Sequence, residues 1–169
     1  GSRTVDELLF DLKSDAIIGR IDLTDVEVID IDLSFLQLAE KSQLAEDGTL
    51  VDPMSVEVGR TLRKANVRIG SLRLADESFG AWVFNIRPEE TGVRFDIESI
   101  DVKGVHIADS VAFWDLNNGR SSFSGAAEID NLLTTLPAWG YVPVLETEFA
   151  RLSGNISWPG SPANLNIVD

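Results

Sequence analysis

What most constrains this chain is alternation. In residues 28–38 apolar and polar side chains take turns, with Ile29, Ile31, Leu33 and Phe35 set against Asp30, Asp32 and Ser34. A period of two sends successive side chains to opposite sides of an extended backbone, so the segment reads as a strand with one dry and one wet face. The pattern returns at residues 79–87, where Trp82, Phe84 and Ile86 share a face. It returns again where Val93, Phe95 and Ile97 oppose Arg94, Asp96 and Glu98.

The remaining strands follow the same rule. Residues 8–13 and 16–23 flank Ser14-Asp15 and read as a hairpin, with Gly19 a bulge or a point of close approach. Residues 66–74 shift phase around Gly70, and residues 100–107, 111–116 and 121–128 complete the set. The turns are Pro88-Glu89-Glu90-Thr91-Gly92 and Asn117-Asn118-Gly119, the second a hairpin signal because Asn and Gly tolerate positive φ. Connections this short make neighbours antiparallel. The expectation is a mainly β fold, a meander of about ten strands.

One helix interrupts it near residues 130–140. Asp130 can cap it, Leu132, Leu133, Leu136 and Trp139 share roughly one face, and Gly140 offers the stop. Pro137 lacks a backbone donor and should end or kink the helix after Leu136.

At 169 residues with 44% apolar content the chain can bury a core, and it reads as a single segment over residues 3–169. Gly1-Ser2 has the look of a cleavage scar, which makes the rest a piece of something longer. Residues 39–52 hold Glu40, Glu46, Asp47 and Asp52 without alternation and read as an acidic loop. With 28 acids against 14 bases the net charge is −14, which would repel a nucleic-acid backbone rather than steer it in. Nothing resembles a membrane span, so the segment itself reads as soluble.

Chemistry is sparsely signalled. His106 is the only histidine and there is no cysteine, so neither a zinc site nor a thiolate centre can be assembled. A serine nucleophile elbow is missing. Asp30-Ile31-Asp32-Leu33-Ser34 has calcium-loop spacing, but its sixth position is Phe35 and its twelfth Lys41. The sequence therefore points to no enzyme, no metal and no cofactor. What remains is the apolar face, with Trp82, Phe84, Phe95, Phe113 and Trp114 its large members. It fits an ordinary sandwich or sheet–helix core as well as a groove lined for a ligand.

A resemblance separates these. The run SFSGAAEIDNLLTTLPAWGYVP followed by SGNISWPGSPANL is similar to the YhdP branch of the AsmA-like proteins of the Gram-negative envelope. There a Gly-containing strand leads to a leucine-rich helix ending in Gly-Tyr, then to a W-P-G-x-P turn. Gly125, Leu132, Leu133, Gly140, Tyr141, Trp158, Pro159, Gly160 and Pro162 occupy those places. Upstream, Asp52-Pro53 before a strand of the type Val56-Glu57-Val58, then Ile69-Gly70-Ser71-Leu72 and the span from Phe79-Gly80 to Gly92-Val93, also resemble that branch.

The resemblance implies a strongly bent, taco-like β-groove and a role in bridge-type lipid transfer. The full-length protein would be anchored in the inner membrane and cross the periplasm, supporting phospholipid movement towards the outer membrane and its barrier. Expected partners are phospholipid acyl chains and neighbouring β segments of the same full-length chain. The expected groove lining is Ile31, Leu33, Phe35, Trp82, Phe84, Val93, Phe95 and Ile97. The rivals are a spacer or docking β module of the envelope without lipid contact, and a carbohydrate-binding module with aromatics on its wet face.

Overall fold

The long stretches of alternation become strands of one open sheet. The computed structural model describes residues 8–38, 52, 54–142 and 149–164, so most of the acidic loop lies outside the described residues. The strands are β1 (Leu9–Lys13), β2 (Ile17–Asp22), β3 (Ile29–Leu38), β4 (Ala65–Ile69), β5 (Leu72–Leu74), β6 (Glu77–Ser78), β7 (Ala81–Pro88), β8 (Gly92–Val102), β9 (Val105–Asp115), β10 (Arg120–Ile129) and β11 (Ala150–Pro159). Nine of them follow in the order β1-β2-β3-β4-β7-β8-β9-β10-β11, while β5 pairs with β3 and β6. The mainly β, single-sheet expectation holds, and the sheet does not close.

Two connections differ from the reading. Strand β3 pairs parallel with β4 and β5, because the chain between β3 and β4 is long enough to cross over, as a parallel neighbour requires. Residues 100–107 are two strands, not one: Lys103 and Gly104 both take positive φ and turn β8 into β9. Lysine is an unusual residue in that turn, which hid it.

Helix α1 (Val56–Thr61) stands where Val56-Glu57-Val58 resembled a strand. Three alternating residues cannot distinguish the two. The Ser55 hydroxyl accepts from the Val58 N–H at 3.4 Å and caps the helix. Glu57 in the first turn faces the positive end of the helix. Its carboxyl is held below the ordinary glutamate value by its own backbone N–H, then by the Ser55 hydroxyl. Gly59 lets the helix lie on the sheet, since a Cβ there would stand 2.8 Å from the Trp114 ring.

Helix α2 (Leu132–Ala138) is the expected one with altered details. Asn131, not Asp130, is its cap, its side chain accepting from the Thr134 N–H. Leu132 and Thr135 are buried and Leu133 is exposed, so the inward stripe runs Leu132, Thr135, Leu136, Trp139 at helical spacing. Pro137 lies inside the helix, which continues to Ala138. In so short a helix it removes one bond, and the end is closed instead by Gly140, at φ +84°. The Gly140 N–H donates to Pro137 O and the Tyr141 N–H to Leu136 O.

The sheet is bent where its register slips. Ser34 is an extra residue on β3 opposite the Ile18–Gly19 step, Glu98 on β8 opposite Val83–Phe84, and Asp109 on β9 opposite β10. Such bulges bend a strand and increase its twist. The first also changes Phe35. Leu33 pairs with Gly19, but Phe35 pairs with Ile18, which faces the other way. Leu36 takes the inward place, packing with Leu72 and Ile17 around Leu33 and Ile69.

Candidate functional site

The register turns the alternation into rows that run across the strands. One row reads Leu12, Gly19, Leu33, Ile69, Trp82, Ile100, Ile107, Ala127, Leu152 from β1 to β11. The next reads Phe10, Ile21, Ile31, Val67, Phe84, Ile97 and then Ser110. A third carries Ile29, Ala65, Ile86, Phe95, Ala112, Phe123 and Ile156. Cross-strand partners share a face, so one apolar surface spans nine strands. At about 4.8 Å per strand spacing its length is about 38 Å.

Of the eight residues expected to line it, the structure brings seven onto this face: Ile31, Leu33, Trp82, Phe84, Val93, Phe95 and Ile97. Phe35 stands on the other, moved there by the bulge at Ser34. Leu33 and Val93 are buried within the protein itself. Ile31, Trp82, Phe84, Phe95 and Ile97 are half-buried and keep surface. Phe84 and Phe95 lean together with ring centroids 6.5 Å apart, tilted by 53°. The Trp82 indole N–H donates to Phe79 O at 2.6 Å, which fixes the ring while its body stays in the face.

Among the described residues helices and turns lie at the ends of the strands, while in the middle Leu33, Val67 and Ile69 are buried among their neighbours and Ile31, Trp82, Phe84, Phe95 and Ile97 keep part of their surface. At one end α1 and the C-terminal turn enclose Val93 and Trp114, each only 1% exposed. Gly160 N–H donates to Gly119 O, Ser121 Oγ donates to Gly160 O at 2.8 Å, and Trp158 Nε1 donates to Ser161 O at 2.9 Å. Asp52 joins this knot from across the chain, accepting from the Ser161 N–H at 2.6 Å and from its hydroxyl. At the other end Thr135 of α2 packs on Gly104 in the β8–β9 turn, and Val102 and Ile129, both opposite Val105 beside that turn, are buried.

The opposite face is largely charged, but it also carries Phe35 and Phe113: Phe113, expected on the apolar face, pairs with Arg94 because its neighbour Trp114 takes the apolar side opposite Val93. Asp30, Asp32, Asn66, Arg68, Asn85, Arg87 and Glu98 line an open hollow of about 500 Å³ there, with Asn66 donating to Asp30 at 2.7 Å and Asn85 to Glu98 at 3.1 Å. No aromatic ring lines this hollow, and flat sugar faces are held by such rings. His106 is on the same side, its Nδ1 2.6 Å from Asp101 Oδ1, both exposed.

No family model, curated protein or solved structure matches this chain. The geometry therefore carries the argument. Two features of it escaped the sequence reading. Asp52 was assigned to the acidic loop, and its partner Ser161 lies 109 positions away. Only the Asp-Pro and Pro-Gly-Ser punctuation around them hinted at ordered turns. Lys103 was placed mid-strand, with no signal that it forms a turn.

Proposed function

We propose that this chain is a segment of a periplasm-spanning AsmA-like protein whose apolar face shields lipid acyl chains during phospholipid transport between the inner and outer membranes. The observation that supports this is the apolar row running from Leu12 to Leu152 without a charged residue, beside aromatics that keep exposed surface. A face about 38 Å long exceeds one lipid tail, about 15 Å or half of a bilayer's hydrocarbon core. Each buried methylene is worth about 0.8 kcal/mol, so some ten of them contribute about 8 kcal/mol before the cost of immobilisation. Rows without charged groups offer no deep well along the face, so a tail can slide while its headgroup stays at the rim in water.

The test is native mass spectrometry and lipid extraction of the purified protein, with a fluorescent fatty acid as a titratable probe. Phe84→Asp and Phe95→Asp should each lower probe affinity at least tenfold while the far-ultraviolet circular dichroism stays that of a sheet. A lipid-free protein whose probe binding ignores both substitutions sinks the reading.

One observation favours a second reading. Among the described residues β1 and β11 are each paired on one side only, and a bare edge is a template for another strand. A spacer or docking module joined to neighbouring β segments needs such edges, with or without lipid. It predicts normal assembly of the Phe84→Asp variant with those segments.

A further inference from the structure

Among the described residues every polar tie between α2 with its C-cap and the sheet goes to one hairpin turn. Thr135 Oγ1 donates to Gly104 O at 3.4 Å and Trp139 Nε1 donates to Lys103 O at 3.3 Å. The Lys103 side chain returns the grip. Its ammonium lies 4.8 Å from the centre of the Phe79 ring and 5.4 Å from that of Trp139, and it donates to the Glu77 carboxylate. Lysine holds this position at φ +46°, in a turn where Asn or Gly is usual. A residue kept in an unfavoured backbone state points to a use for its side chain.

We propose that α2 is a hinged cap over one end of the apolar face and that Lys103 is the latch that holds it shut. The hinge is Asp130-Asn131, where the chain leaves β10 directly for the helix. The latch joins two separate pieces of chain: the stretch from Glu77 on β6 to Phe79 before β7, and Trp139 at the end of α2. The ammonium is attracted to both ring faces and to the carboxylate; its own side chain is only 19% exposed, whereas that of Glu77 is 65% exposed, so the rings hold it in a drier setting than the carboxylate does. On the strands that meet the Lys103-Gly104 turn lie Ile100, Val102 and Ile129, buried continuations of the apolar face. Swinging α2 away lengthens that face at its rim and gives a tail an end-on way in. The role as an entry gate rests on the acyl-chain reading, whereas the latch itself does not.

Hydrogen exchange on the whole protein separates the two. Lys103→Met keeps the aliphatic stem and the same backbone demand while deleting the charge, Lys103→Arg keeps the charge, and Glu77→Gln removes one partner. Amides of residues 132–141 should exchange about tenfold faster in Lys103→Met, a fewfold faster in Glu77→Gln, and near the native rate in Lys103→Arg, with β7–β9 unchanged. Uptake of a fluorescent fatty acid should quicken in the same order. Native exchange over α2 in Lys103→Met overturns the latch, as does an equal rise throughout β7–β9, which marks general destabilisation. Faster exchange over α2 in a protein that takes up no probe in any variant upholds the latch and overturns the lipid reading.

Discussion

At the scale of single residues the structure is most exacting in the knot around Gly160. Its φ of +87° suits glycine, and a Cβ would stand 2.5 Å from Asp52 Oδ2 and 2.7 Å from the Asn164 amide. Gly160→Ala should therefore destabilise the protein by about 2 kcal/mol, read as a lower urea midpoint at unchanged slope. Ser161→Ala leaves the Asp52 carboxylate short of a donor and should cost about 1–2 kcal/mol. A different carboxylate sets a pH dependence. Asp115 accepts from the side chain of Asn118 and from the backbone N–H groups of Asn118 and Asn117. The Asn118 side-chain bond, then the backbone ones, hold its pKa below the ordinary aspartate value of 3.8. A depressed native pKa means that the turn's stabilisation is complete above the ordinary value and is lost as the pH falls through the lower native one. Amide shifts of Asn117 and Asn118 in an acid titration should follow that loss, and Asp115→Asn should remove the titration. An unshifted midpoint would refute it.

At the scale of elements the two helices show how much a short pattern can hide. Alternation was long enough in β3, β7 and β8 to identify them, because four or more matched positions leave a helix no consistent face. Over Val56–Val58 it was not, and a serine cap with an acidic first turn outweighed it. The burial of Gly59 against Trp114 and Leu116 gives α1 its seat. Gly59→Ala should overpack that seat and cost about 1–3 kcal/mol, and its readout is a red shift and easier quenching of tryptophan emission. In α2 the exchange of Leu133 for Thr135 on the inward face has a local cause. The Thr135 methyl and hydroxyl sit against Gly104, and the hydroxyl donates to Gly104 O. The mid-segment turn at Lys103-Gly104 was illegible for the same kind of reason: its residues are chosen for contacts with Phe79, Trp139 and Glu77, not for turn propensity.

At the scale of the whole molecule the open edges are the consequential feature. Strand β11 runs ten residues in unbroken register with β10, and Leu152 and Ile156 on it are well exposed. A long, regular, apolar edge associates, so sedimentation velocity should show self-association that grows with concentration. Ile156→Lys should suppress it, since a charge on the edge opposes a second strand. Concentration-independent monomers would remove the edge from consideration as a docking surface.

The sequence by itself determined the strands and which side of most of them is dry, because a period of two is a local property of the backbone. It also determined seven of the eight residues placed on the apolar face. Tertiary structure alone decided the parallel seat of β3 beside β4, the move of Phe35 to the other face, and the assembly of separate strands into rows that cross the sheet. Those depend on register, which a bulge of one residue changes for everything beyond it. The tie between Asp52 and Ser161 and the grip of Lys103 on α2 are likewise tertiary, since they join groups that only the folded sheet brings within reach.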